Sequence, residues 1–486
     1  MQCTGLAWLS KRMTVFYSEP CVSVALDRTV RELAAERVYD QDRVSATIRS
    51  ALENWNLGKK KPDVPFADIV EPGSVVLVKP NWVHHDNNTR SGVECLYTHP
   101  TFLTAVLREL VAARPSRIIV GDAPIQSCDF DAIVTPALRR EIQSIGSAAG
   151  VSIDIIDFRR TAMARSRFRT SIITNRRSES RYVLFDLGTN NLLEPVTDIR
   201  PRFRVSFYDP RLLASVHCQG THQYLICREA FEADVVISLP KLKTHRKAGL
   251  TGALKNLVGL NGNKDYLPHY RAGGSRHGGD SFQGGNLLRI AAEDIEDKAN
   301  KHIGTLVYPW LRLVAGGLKR LAGGSNEMGG GWYGNDTVWR MVLDLNRILL
   351  YGRADGTMAE TPQRVFYSLT DALVCGQGDG PLRPKPLVIG AVTFGASPVA
   401  CDLVHAALLR LDAARIPLLR ESTKRFRWPL VEEEFTVVAR VNGVAMSLND
   451  VAMDLGVAAE APSGWKGKCE LKTAAISATP QDGLGQ

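Results

Sequence analysis

Apolar positions fall into two rhythms along this chain. Short, near-continuous β-branched runs alternate with longer segments whose apolar residues recur every three or four positions. "YDQDRVSATIRSALENW" carries Val44, Ile48, Leu52 and Trp55 at helical spacing and predicts a helix. After the linker-like "KKKPDVP", "SVVLVKP" predicts a strand, "PTFLTAVLRELVAA" a helix and "RIIVGDAP" a strand. "AIVTPALRREIQSIGSAAG" then predicts a helix and "VSIDIIDF" a strand. The alternation implies an α/β fold: a mostly parallel sheet with helices on both faces.

Between about 160 and 215 an Arg-rich stretch predicts an inserted antiparallel segment. "ADVVISLP" returns to the buried-strand pattern, and Gly-rich loops are expected at about 271–336. "DTVWRMVLDLNRILLYG" reads as a helix, "RVFYSLTDAL" and "PLVIGAVTFG" as the last sheet strands, and "VACDLVHAALLRL" as the closing helix. "FTVVARVNGVAMSL" predicts a small hairpin around Asn442-Gly443. The chain thus divides into an N-terminal helical extension (1–70), an α/β domain (71–410) and a C-terminal extension (411–486) whose tail after about Ala459 is expected to be loosely ordered.

Composition narrows the function classes. The chain has 486 residues, a net charge of +9 and a pI near 9.1, but its 51 acidic residues are interspersed with 60 basic ones, so charge matters only locally. Nine cysteines lie far apart with no CxxC pair, so an iron–sulfur cluster is not expected and a reducing cytoplasm is. The N-terminus lacks the apolar core and cleavage pattern of a signal peptide. "IGTLVYPWLRLVAGGLKRLAGG" is the most membrane-like stretch. Pro309 and Arg312 interrupt it, and it reads as a soluble helix or loop. No membrane partner is expected.

Local charge is concentrated in "ISLPKLKTHRKAGLTGALKNLVGLNGNK". Lys241, Lys243, His245, Arg246, Lys247 and Lys255 follow a buried strand, and no acid occurs between Asp234 and Asp265. Read as a helix, this stretch puts Leu250, Ala253, Leu254, Leu257 and Val258 on a core face, with Gly249, Thr251, Gly252, Lys255 and Asn256 opposite. Lysines near a helix start suit a phosphate or carboxylate. The plainer reading is a solvated basic loop. Aromatics do not interleave with the run, which argues against RNA.

Ligands of parallel α/β sheets bind beyond the carboxyl ends of the strands. Lys79, Asn81 and Trp82 follow one such end, Asp122 another, Lys241, Lys243, Thr244 and His245 a third, and Asp371 a fourth. The four ends are expected to line one crevice.

"VLVKPNWV" with "THP", "RIIVGDAP", "ISLPKLKTH" with "LTGALKNLVGL", and "DALVCGQGDGP" with "VIGAVTFGASPVACDLV" occur in the order of the bacterial and archaeal family known as domain of unknown function 362 (DUF362). The resemblance spans roughly 70–410 and is most specific at the PKxKTH…T…KN block. It implies little about activity, because that family has no settled general reaction. Some members carry ferredoxin-like iron–sulfur motifs that this chain lacks. It also departs where relatives often have Met-Glu before a Gly; Gly376 and Gln377 stand there instead.

These readings converge on an enzyme acting on a small anionic, phosphate- or carboxylate-bearing metabolite by isomerisation, elimination or group transfer. Lys79, Asn81, Lys241, Lys243, Thr244, Thr251, Lys255 and Asn256 are the expected anion ligands. His99, Asp122, His245 and Asp371 are the expected proton-transfer groups. His84, His85 and Asp86 have ligand types suited to a divalent metal, although neighbouring histidines in a strand would point opposite ways. The alternative is a non-catalytic carrier of an anionic cofactor, or a redox-partner binding protein. Oligomeric state is not set by the sequence.

Overall fold

The β-branched runs become the middle of one large sheet. The computed structural model describes residues 20–89, 91–165, 170–174, 177–323 and 328–472. The N-terminal stretch read against a signal peptide, parts of the Arg-rich insertion and the tail beyond Lys472 lie outside them. Among the described residues the main sheet has eleven strands: β1 (Cys21–Leu26), β2 (Val75–Pro80), β3 (Arg117–Asp122), β4 (Ser152–Asp157), β5 (Val235–Leu239), β6 (Lys241–His245), β7 (Gly249–Thr251), β8 (Val365–Asp379), β9 (Arg383–Gly395), β10 (Val438–Val441) and β11 (Val444–Met446). Their order is β11-β10-β1-β9-β8-β5-β2-β3-β4, with β6 pairing β8 and β7 off this path. From β8 to β4 every neighbour is parallel, whereas β9 runs antiparallel to both β8 and β1.

Successive strand residues face opposite sides of a sheet, and the core divides accordingly. Val76, Val78, Ile118, Val120, Val235 and Ile237 point to one side. There they pack with α1 (Gln41–Asn54), α2 (Pro100–Val111) and α3 (Pro136–Ala149). Leu77, Ile119 and Val236 point to the other, against α7 (Val338–Tyr351) and α8 (Pro398–Leu408). The helices start where the sequence allows. Asp40 accepts a hydrogen bond from Arg43 N, Thr135 from Leu138 N and Ser397 from Ala400 N, each satisfying a free helix-end donor.

Several expectations need correcting. The residues after Pro240 continue as β6 and turn back through β7, because the backbone at Lys241 and Lys243 pairs with β8. A single turn of α-helix, α4 (Ala253–Asn256), comes after them and leads into a 3-10 turn, Leu257–Leu260. β8 does not end before Asp371. It runs on to Asp379 because β9 pairs along its length, so Asp371 lies mid-strand. The segment before residue 70 supplies β1 to the sheet as well as α1.

The tail is packed through Lys472: Trp465 and Cys469 are buried, and Trp465 Nε1 donates to Arg246 O at 2.6 Å. The hairpin at Asn442-Gly443 forms β10 and β11, with φ of 48° and 80° at its tip. The Arg-rich insertion holds antiparallel pairs, Thr161–Arg165 with Thr170–Thr174 and Tyr182–Asp186 with Thr221–Cys227. The Gly-rich region carries two helices, α5 (Leu287–Lys301) and α6 (Val307–Leu321).

Candidate functional site: a lysine-walled cavity

A cavity of about 620 Å³ opens beyond the carboxyl ends of β2 and β3. Lys79, Asn81 and Trp82 come from the first end and the residues from Asp122 to Ser127 from the second. Lys243, His245, Lys247, Thr251, Lys255 and Asn256 come from β6, β7, α4 and the turn between the two strands. The opposite wall is built from Val205–Tyr208 of the insertion, Lys264, His269 and Tyr270, and Asp297, Asn300, Arg312 and Lys319 of α5 and α6.

At the floor, Lys79 Nζ lies 2.8 Å from Asp122 Oδ1. The same ammonium donates to Pro80 O at 2.7 Å and Asn256 Oδ1 at 3.2 Å, while Asp122 Oδ2 accepts from Trp82 N at 2.6 Å. Burial lowers the Lys79 pKa, and Asp122 acts against that shift. Asn256 also donates to Lys79 O and Ser238 Oγ, so it bridges β2 and β5.

The glycines interleaved with the cations answer to close approach. A Cβ on Gly259 would occupy the space of Asp122 Oδ1, with Lys79 Nζ beside it. One on Gly252 would displace Asp402, whose carboxylate accepts from Ala253 N at 2.6 Å and Leu254 N at 3.0 Å and so caps α4.

Four lysines line the cavity without any ion pair to a carboxylate among the described residues. Lys243, fully buried, donates to Asn81 Oδ1 at 2.8 Å and to Leu96 O. Lys247 donates to Ser206 Oγ at 3.3 Å and sits 4.9 Å over the Tyr270 ring. Lys264 reaches Val258 O at 3.4 Å. Burial drives all four below the ordinary lysine value: Lys243, Lys247 and Lys264 to about 7 and Lys255 to about 8. Neighbouring cations add to this, Lys241 at Lys243 and Arg246 at Lys247. Thr251 has a buried hydroxyl with no hydrogen-bond partner among the described residues.

His84, His245 and His269 also line the cavity, and the last two have opposite polarity. His245 Nδ1 accepts from Lys247 N at 3.0 Å and Ala248 N at 3.2 Å, so the ring proton sits on Nε2. His269 Nδ1 lies 2.7 Å from Leu267 O, a pure acceptor, so this nitrogen donates and Nε2 carries the lone pair. Burial first, and then the surrounding lysines, hold both rings well below the ordinary histidine pKa and keep them neutral.

The single crevice expected from four strand ends is instead two polar clusters. Asp122, His245, Lys79, Asn81, Lys243, Thr251, Lys255 and Asn256 line the cavity. His99, Lys241, Thr244 and Asp371 do not. Lys241 Nζ pairs with Asp371 Oδ2 at 2.6 Å, donates to Tyr39 OH, and both pair members are wholly buried. Tyr39 OH donates to Asp371 Oδ1 at 2.8 Å, and its ring stacks on His99 at 3.7 Å. His99 caps α2 through Nδ1 and is pushed down to about 3 by burial and Lys241. Thr244 Oγ1 donates to Gly378 O at 2.8 Å. A register shift in β6 between Lys241 and Lys243 accompanies the separation.

Lys264 and His269 escaped the sequence reading because they sit beyond the strand-end motifs. The signal for Lys264 was the acid-free run itself, whose last residue it is. His84 and His85 do not diverge as a strand would require; their rings lie 4.3 Å apart. His85 Nδ1 already accepts from Asp129 N at 3.0 Å. Among the described residues no group of three or more His, Cys, Asp or Glu could hold a metal ion.

Part of the chain is similar to known proteins. A thylakoid-associated protein of Synechocystis sp. (strain PCC 6803) is 21% identical over 389 residues, covering 80% of this chain and 76% of its own. A solved structure of a Thermotoga maritima protein aligns over 74% of this chain at 10% identity with a TM-score of 0.31, and this chain spans 58% of that one. A sequence profile matches residues 194–407, which hold β5 to β9, α8 and the lysine run. That profile describes the Domain of unknown function (DUF362), to which this part of the chain is similar.

Proposed function

We propose that the chain is an enzyme that binds a small phosphate- or carboxylate-bearing metabolite in this cavity and acts on it by proton transfer. The observation that carries the reading is the set of four cavity lysines that form no ion pair with a carboxylate among the described residues. Lys243 is fully buried and Lys247, Lys255 and Lys264 are partly buried, and cations withdrawn from water are ordinarily paired. A ligand anion would supply the missing partner, and the Thr251 hydroxyl would gain an acceptor or donor with it.

Protonation states define the chemistry available. An ammonium with a pKa near 7 exists in both forms at neutral pH, which suits an acid or base as well as a charge clamp. The lone pair on His269 Nε2 would accept a proton from the substrate. His245 Nε2–H would donate to a developing oxyanion, with Lys243 and Lys255 beside it. Isomerisation, elimination and group transfer all fit this arrangement. The alternative is a carrier that holds the anion without changing it.

The test is a melting curve with phosphate, pyrophosphate and a panel of small carboxylates, paired with mass spectrometry of the molecule retained on purification. Wild type should melt higher with at least one anion, and Lys255→Met should lose that gain. A retained molecule returned chemically altered supports the enzyme, and one returned unaltered the carrier. No gain from any anion, together with no retained molecule, would overturn both.

A further inference from the structure

α6 is built inside out. A helix on a protein surface ordinarily turns its apolar stripe to the core. Here the charged face is turned inward: Arg312 and Lys319 both reach Glu296 of α5, at 2.8 and 2.6 Å. Arg312 also lies 4.9 Å over the Phe207 ring. The apolar face is outside. Leu306 is 87% exposed, Trp310 69% and Leu321 77%, with Leu313 and Val314 exposed between them. At about 100° per residue, Leu306, Val307, Trp310, Leu313, Val314, Gly317 and Leu321 fall within an arc of roughly 120° that contains no charged residue. Leu287 and Leu288, at the start of α5, are exposed as well. Scattered apolar residues on a surface are ordinary; a continuous stripe along one helix marks an interaction site.

We propose that this face docks the chain peripherally on a membrane surface containing anionic phospholipid. Three observations favour lipid over another protein. The stripe offers a single hydrogen-bonding side-chain group, the Trp310 Nε1–H, whereas protein interfaces carry about one hydrogen bond per 100–200 Å². One helix face, about 22 Å long, is small beside the roughly 800 Å² each partner gives to a stable protein interface. Its margin is cationic: Arg320 is exposed at the edge of the arc, and Lys298 and Lys301 are exposed where α5 gives way to α6, against Asp294 on α5. Exposed Trp and Leu bordered by basic residues are what a helix lying in a headgroup layer needs. No helix among the described residues is long and apolar enough to cross a membrane, so the contact would be in plane. This inference departs from the sequence expectation that there is no membrane partner. It does not depend on the identity of the cavity ligand, although Asp297, Asn300, Arg312 and Lys319 of the same helix pair line the cavity.

The test is co-sedimentation of the full chain with vesicles of phosphatidylcholine alone and of phosphatidylcholine with phosphatidylglycerol. Wild type should pellet with the anionic vesicles and be released by high salt. Trp310→Ser with Leu313→Ser should lower the bound fraction at least tenfold with an unchanged melting temperature. Leu306→Ser, at the exposed N-cap, is the second variant and should weaken binding in the same direction. Failure to pellet with either vesicle, or pelleting untouched by these substitutions, overturns the proposal. So does light scattering that shows a dimer which the double variant converts to monomer, since the stripe then belongs to a second copy of the chain.

Discussion

Lys79 Nζ and Asp122 Oδ1 stand 2.8 Å apart across the tips of two parallel strands, almost entirely out of solvent. Each group has further neutral partners. The ammonium donates to Pro80 O and Asn256 Oδ1, and the carboxylate accepts from Trp82 N. The pair therefore fixes the floor of the cavity and holds the start of the segment after β2 against the end of β3. Anion binding would then fall on the lysines without such a partner.

Replacing Lys79 by Met should leave Asp122 buried and unpaired. Breaking one side of a buried ion pair costs about 3–5 kcal/mol. Denaturant unfolding should report a loss of that size with the denaturant slope unchanged. A loss under about 1 kcal/mol would mean that water reaches Asp122 and that the pair is not structural.

Gly259→Ala should act on the same pair without touching either charge. The added methyl would take the position of Asp122 Oδ1, and the backbone at Gly259 is pinned because its carbonyl accepts from Ala123 N at 2.9 Å. Overpacking of this kind costs about 1–3 kcal/mol. In the Lys79→Met background the Ala substitution should cost measurably less, since the two act on a shared contact. Strict additivity in a double-mutant cycle would refute the steric account.

How much of this was legible beforehand depended on whether the signal was local. The runs at Val76, Ile118 and Val236 announced buried parallel strands, and Asn442-Gly443 announced a hairpin, because periodicity and turn chemistry are written in adjacent residues. The stretch after Pro240 misled. Its apolar spacing fits a helix, but long-range pairing with β8 overrides that preference, as tertiary context often does. The site was half legible for the same reason. Strand ends pointed to Lys79, Asp122 and Lys243, yet nothing near Lys241 in sequence reveals that Asp371 and Tyr39 will meet it. His269 lies in a loop region and reaches the cavity only through the path of the insertion.

Lys241 and Lys255 should respond oppositely to the same change. Lys241→Met leaves the wholly buried Asp371 without its cation and removes the donor to Tyr39 OH, so the fold should lose about 3–5 kcal/mol. Lys255 has no ion pair among the described residues, and burial lowers its pKa to about 8. Lys255→Met should leave the ligand-free protein as stable as wild type or slightly more stable, and Lys243→Ala should behave likewise. Thermal melts of the three variants side by side decide the matter. If Lys255→Met melts as low as Lys241→Met, then Lys255 is part of the framework.

The cavity lysines also make stability depend on pH. In the unfolded chain a lysine keeps its proton to about 10.4. In the folded protein Lys243, Lys247 and Lys264 release theirs near 7, and Lys255 near 8. Between these limits the unfolded state binds more protons, so stability rises with pH. Other groups act mainly outside the lower part of this window. The buried carboxyls Asp265 and Glu293, raised to about 7, make stability fall as pH rises toward that value. The buried thiols, such as Cys95 raised to about 11 and Cys128 to about 12, make it fall only once unfolded thiols ionise, near 8.5 and above. The ligand-free protein should therefore melt higher at about pH 8.5 than at about pH 7, a window set by those two classes. An anion favours the protonated lysines, so phosphate should raise the melting temperature more at the lower pH and flatten the profile. Lys243→Met with Lys264→Met should flatten it without phosphate. Scanning calorimetry across this range, with and without phosphate, reads all three effects. A ligand-free melting temperature that falls steadily from pH 7 upward would show that these lysines keep their protons in the fold and that burial does not depress them.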